Sequence, residues 1–319
     1  MLANHSGFVP DSQAARDALR AVIAAYTAAF PGQARAVYVD GSHADRTDLA
    51  TSDLDLTIII KDAWQDERER AKAEGLTADL AAHAAVELDV GVVDEATMRD
   101  QGAHPTLKLA SALVWGEDIR DRFAIMPIAR WTRDRMHAAY WLTTRLYDRP
   151  IPVRLPLAYP DPDDEFFGYT RRLVRLPDGR EVPCARDLIR STGWAATALL
   201  AWRRGVYVAR KRDCHALYRE HIGDEWSDLL ANIYDDCRTR WRYLIPPDDA
   251  ERTQLRAICA RTLAFENHFF AGYRRFLLDE LRGADATGRA EAVKVQSILP
   301  LNDAEVAEAL AAAQQAVGE

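Results

Sequence analysis

The chain of 319 residues is long enough for two domains of ordinary size, and its 48% hydrophobic and 28% charged residues are those of a water-soluble globular protein. A net charge of −8, with no run of Lys and Arg, argues against a long nucleic acid as partner and suits small cationic molecules. Cys184, Cys214, Cys237 and Cys259 stand singly, which argues against a zinc site and marks them as reduced core thiols in a chain that can bury a core without disulfides.

Met1 to Asp11 lacks the basic and apolar parts of a signal peptide, and the longest apolar stretches, such as Ala195 to Trp202, are too short to span a bilayer. A cytoplasmic protein with no membrane partner is expected. Asp11 is placed to cap a helix from Ser12, in which Leu19, Val22, Ile23, Tyr26 and Phe30 recur at helical spacing until Pro31-Gly32. Ala36 to Val39 reads as a strand that stops at Asp40-Gly41-Ser42, and Leu54 to Ile60 as a second strand. Asp62 to Ala85 reads as helix, interrupted near Gly75, and Val86 to Val93 as a third strand, ended by Asp94-Glu95. Helix, strand, loop, strand, helix, strand implies a small sheet with helices packed on it. Helices are expected over 105–114 and 130–146.

Pro150 to Glu165 changes character, with five prolines and the acidic cluster Asp161, Asp163, Asp164 and Glu165. The domain boundary is placed there, giving domains 1–150 and 151–319. Tyr169 to Pro183 carries a hairpin signal around Pro177-Asp178-Gly179. Beyond it the pattern is helical: 186–204, 212–221, 224–242 and 249–282, with a terminal helix from Asp303. The fold class expected is α+β, a small mixed-sheet domain followed by an essentially all-helical one with a short hairpin near 169–183.

The informative segment is Gly41-Ser42, ten residues, then Asp53-Leu54-Asp55-Leu56. Period-2 geometry puts Asp53 and Asp55 on one face of their strand, with Leu54 and Leu56 turned into the core. Two neighbouring carboxylates repel unless a divalent cation sits between them. A third acid is available in Glu87-Leu88-Asp89, where either Glu87 or Asp89 can complete the cluster. Three carboxylates on adjacent strands can hold two Mg2+ ions, which activate an attacking hydroxyl and clamp a phosphate. Gly41 lets the backbone approach a triphosphate closely, and the Ser42 hydroxyl can bond phosphate oxygens.

These residues resemble the nucleotidyltransferase superfamily that includes DNA polymerase beta, and within it the aminoglycoside adenylyltransferases of the streptomycin/spectinomycin type. The resemblance implies a catalytic N-terminal domain and a helical domain. It implies that Gly41 and Ser42 hold phosphate, that Asp53, Asp55 and Asp89 bind Mg2+, and that Asp89 is the general base, with Glu87 second. It implies ATP as donor, a small cationic acceptor such as an aminoglycoside, and a link to antibiotic resistance. After the helix 186–204 and its Gly205 turn, Lys211, or Arg210 if no residue is inserted, matches a lysine that reaches the triphosphate. Asp187 matches an acid that contacts the acceptor and is expected in the cleft facing Asp89. The chain departs from the pattern where Thr197 replaces a phosphate-contacting arginine, in the absence of an evident drug-contacting tryptophan, and in residues 150–183, which have no counterpart.

Other residues read both ways. Trp115 is placed to stack on a base or sugar, or to pack in the core. His43, beside the phosphate loop, is placed to touch a γ-phosphate or to stand as an exposed loop residue, the second being the preferred reading. Arg46 and Lys61 suit either triphosphate neutralisation or solvation. The cluster Asp161 to Glu165 suits attraction of a cation or a solvated linker. Phe265, Phe269, Tyr273 and Phe276 recur at core spacing. The alternatives to a small-molecule adenylyltransferase are an enzyme that modifies tRNA or a protein, as in toxin–antitoxin pairs, and a non-catalytic nucleotide-binding module.

Overall fold

The computed structural model describes residues 8–176 and 178–317; Pro177 of the hairpin turn and most of the segment read for a signal peptide lie outside the described residues. The chain divides into two compact units. One runs to Pro127 and takes in Arg175–Arg180 and Val208–Lys211, and the other holds Ile128–Val174, Glu181–Tyr207 and Arg212 onward. Among the described residues no helix is long and apolar enough to cross a membrane.

The first unit opens with α1, Gln13–Ala29, which buries Leu19, Val22, Ile23 and Tyr26 as its spacing predicts. Its cap is Ser12, whose hydroxyl accepts the Ala15 N–H, and not Asp11. β1 (Ala34–Val39) follows, then a single turn α2 (Gly41–Ala44) and β2 (Leu54–Ile60). Next come α3 (Glu67–His83), β3 (Leu88–Asp94), α4 (Glu95–Gln101), α5 (Pro105–Ala110) and β4 (Ala112–Gly116). α3 starts late because the Asp66 carboxylate caps it, accepting from the N–H groups of Arg68 and Glu69, and it runs through Gly75 without a break. The helix expected over 105–114 stops at Ala110, because residues 112–116 leave it to pair with β1.

The sheet order is β3-β2-β1-β4. β1 is antiparallel to β2 and β4, while β2 and β3 are parallel, so the sheet is mixed. One face buries Leu54, Leu56, Ile58, Leu88 and Val90 in a cluster with α1 residues. On the other face Ala36, Tyr38 and Ile59 pack with Met98, Leu107 and Phe123. That apolar cover ends before Asp55 and Asp53, so two steps along β2 turn the same face from apolar to acidic.

The second unit begins with α6 (Ile128–Leu146). β5 (Leu173–Arg175) and β6 (Glu181–Pro183) form the expected hairpin. α7 (Arg186–Arg204) ends at Gly205, whose left-handed φ of 64° lets its N–H reach back to Ala201. α8 (Cys214–His221) follows, then α9 (Ser227–Asn232), which continues as a π-helical stretch Ile233–Arg240. α10 (Asp249–Arg282), α11 (Ala286–Ile298) and α12 (Ala304–Val317) complete the unit. The acidic stretch before the hairpin is tied down: Asp161 pairs with Arg171, Glu165 with Arg252 of α10, and the Asp164 carboxylate accepts from Phe166 and Gly168 N–H groups. The four cysteines are buried and free.

Candidate active site

The alternation of β2 sets the site. Leu54 and Leu56 are buried on one side, leaving Asp53 and Asp55 half-buried on the other. In the parallel pairing Asp55 lies opposite Asp89, and Leu54 opposite Leu88. Asp89 is exposed on β3. Glu87 precedes the strand, is exposed as well, and lends its carbonyl to the Leu54 N–H.

Gly41 closes over this face. Its φ is +63°, and a Cβ there would stand 2.2 Å from Asp55 Oδ2, so the close approach of the loop to the carboxylate needs glycine. Ser42 lies on α2, half-buried, and its carbonyl accepts the Thr47 N–H. His43, read as an exposed loop residue, is 3% exposed; it faces inward on α2, and burial pushes its pKa down. Neither of its ring nitrogens makes a hydrogen bond, and the nearest carboxylate, Asp48, lies 3.6 Å away.

Asp40 is a further acid of the same face that motif reading misses. It is 8% exposed, its N–H bonds the Asp55 carbonyl at 2.9 Å, and its Oδ2 accepts the Thr57 hydroxyl at 2.5 Å. Its Oδ1 has no hydrogen-bond partner. Burial, aided by the Asp55 charge and opposed by Thr57, pushes its carboxyl up to about 7. The available signal was an acid at the end of β1, in phase with Tyr38 and one residue before Gly-Ser. Asp55 is likewise raised to about 6, by burial first and by the charges of Asp53 and Asp89, with Lys211 opposing.

Val208–Lys211 brings two cations to this unit. Lys211 Nζ stands 3.4 Å from Asp55 Oδ2, and Arg210 pairs with Asp45 at 2.9 Å. Of the two, Lys211 is thus the one at the carboxylates. Among the described residues no three His, Cys, Asp or Glu side chains are close enough together to cage a metal ion as they stand. The donor chemistry still fits one: the oxygens are hard carboxylate ligands, and Asp55 already holds a cation, the Lys211 ammonium.

Trp115 sits on β4 opposite Val37 and packs, half-buried, against the core cluster. Asp187 belongs to the helical unit, in the first turn of α7, where its Oδ1 is 3.0 Å from Arg172 and 3.9 Å from Arg190. Arg46 is an exposed partner of Asp11, and Lys61 is exposed at the end of β2.

No family model and no curated protein matches the chain. Among solved structures it is similar to spectinomycin adenyltransferase AAD(9) from Enterococcus faecialis, determined with ATP and spectinomycin, at 11% identity and a TM-score of 0.43. The match covers 78% of this chain and 98% of that one. A likeness this distant fixes neither activity nor ligand.

Proposed function

We propose that the chain is a metal-dependent nucleotidyltransferase that moves AMP from ATP to a hydroxyl of a small-molecule acceptor. The observation that carries the reading is Asp55: a half-buried carboxylate under Gly41, in register with Asp89 and facing a lysine ammonium. Asp53, Asp55 and Asp89 are the groups that would hold Mg2+, which when bound neutralises phosphate charge and favours the ionised acceptor oxygen. Asp89 is exposed and takes the proton of the acceptor hydroxyl. The oxygen forms its bond to the α-phosphorus in line as the bond to the bridging α–β oxygen breaks, and pyrophosphate leaves. Gly41 and Ser42 bind phosphate oxygens through backbone N–H and hydroxyl groups, and Lys211 follows the triphosphate charge. Asp187 does not by itself argue for a cationic acceptor, because its carboxylate is already held by arginine.

The test is incubation with ATP labelled at the α-phosphate, Mg2+ and a panel of aminoglycosides, other small alcohols and tRNA. A labelled small molecule is expected, lost in Asp53→Asn and Asp55→Asn chains that still fold. Label on tRNA or on protein would move the acceptor class, and label nowhere with ATP still bound would leave a nucleotide-binding module.

A further inference from the structure

Adjacent cations of the segment Val208–Lys211 end on different carboxylates. Arg210 Nε stands 2.9 Å from Asp45 Oδ1, and Lys211 Nζ stands 3.4 Å from Asp55 Oδ2. The two pairs differ in kind. The Lys211 side chain is 70% exposed, and an ion pair of so exposed an ammonium contributes about 0–1 kcal/mol, too little to fix a segment. The Asp45 side chain is 9% exposed, so water scarcely reaches the carboxylate that Arg210 meets, and separating the two is costly. Val208, buried, seats the start of the segment, and the Asp45–Arg210 pair seats its end.

Asp45 is also part of the turn that carries Gly41 and Ser42. It closes α2, its N–H bonding the Gly41 carbonyl at 3.1 Å, and the Thr47 N–H bonds the Ser42 carbonyl at 2.9 Å. Between those two bonds Arg46 takes a left-handed φ of 53°, which turns the chain sharply after Asp45. The backbone of Asp45 is therefore fixed to Gly41 and Ser42, while its carboxylate reaches the residue next to Lys211.

We infer that Asp45 is a positioning residue of the site: through Arg210 it holds Lys211 at a set distance from the Gly41-Ser42 turn, so that both meet one triphosphate. The inference rests on the nucleotidyltransferase reading and divides the two cations by role. Arg210 stays on Asp45 and holds the backbone. Lys211, exposed and on a long stem, follows the charge of the nucleotide. Asp45 touches no reacting atom and acts only through Lys211, which makes its effect conditional on the ammonium being present.

Calorimetric titration of the full chain with α,β-methylene-ATP and Mg2+ tests it, since this nucleotide binds without being turned over. Lys211→Ala should weaken binding about 10- to 150-fold, the loss of one charge-assisted bond. Asp45→Asn and Arg210→Gln should each weaken it about 3- to 10-fold, as fewer chains hold Lys211 in place. Combined with Lys211→Ala, Asp45→Asn should cost less than about twofold more, because the group it positions is already gone. A role confined to folding would instead weaken binding by the same factor in both backgrounds. Arg70→Gln, an exposed arginine paired with Glu74 on α3, should leave binding unchanged. Arg210→Gln carries the same cycle if Asp45→Asn fails to fold. Binding unaltered in Asp45→Asn and Arg210→Gln, or weakened by either as much with Lys211→Ala as without it, overturns this inference alone. A native chain that binds no nucleotide overturns the transferase reading and this inference together.

Discussion

Replacing Asp40 by Asn removes a buried carboxyl while keeping an oxygen that can accept the Thr57 hydroxyl. In the folded chain this carboxyl titrates at about 7, against an ordinary 3.8. Below about pH 4 it is protonated in both the folded and unfolded chains, and folding carries no charge penalty. Between the two values the unfolded chain is ionised while the folded chain keeps its proton, so native stability falls as pH rises, by about 1.36 kcal/mol per pH unit. Above pH 7 the loss is complete, on the order of 4 kcal/mol. The Asn chain has no such slope. The Asn amide replaces the partnerless Oδ1 with an NH2 group equally without a partner, which costs the same at every pH. The diagnostic is therefore the difference between the two chains: Asp40→Asn should gain on the native chain by several kcal/mol between pH 4 and pH 8. Urea unfolding across that range, with a chelator present, measures it. A difference that stays flat with pH, or that grows in favour of the native chain, refutes the reasoning.

Three further outcomes are expected. Asp89→Asn should lose about 10²–10⁴-fold in transfer rate, and Glu87→Gln far less, because only Asp89 lies opposite Asp55; a dead Glu87→Gln chain would reverse the roles. Gly41→Ala should lose nearly all turnover and about 1–3 kcal/mol of stability, since its Cβ would fall 2.2 Å from Asp55 Oδ2 at a φ of +63°; crystallography or urea unfolding of an active Ala chain would show the loop to be less constrained. Ser12→Ala should cost about 0.5–2 kcal/mol and Asp11→Ala little, because Ser12 alone caps α1; equal losses in thermal unfolding would undo the cap assignment.

Much of this was legible where one local rule dominates. β2 follows from an Ile-rich alternation, and α7 and α10 run over the ranges their apolar spacing predicts. The carboxylate face follows from the same period-2 geometry. What failed to show depends on contacts distant in sequence. Ala112–Gly116 is a short apolar run that suits helix or strand, and pairing with β1 decides it. α11 shows little apolar periodicity of its own; it is started by the Asp285 cap, and Gly288, Ala292 and Gln296 are among its buried residues. His43 is polar by type, and its inward direction is set by the turn α2 rather than by any local pattern. Asp40 escaped because a single acid before a Gly-Ser turn reads as a loop residue until its neighbours Thr57 and Asp55 are placed.

The route of the chain carries its own consequence. The strand carboxylates lie before Pro127, yet Lys211 joins them from Val208–Lys211, a stretch inserted between helical segments of the other unit. A fragment cut at Pro127 would keep every acid of the site and lose the ammonium that meets Asp55. The two units are therefore not beads on a thread that could be parted and exchanged: evolution or engineering that swaps the helical half must carry the returning lysine with it, and synthesis must proceed past residue 211 before the acidic face finds its counter-charge.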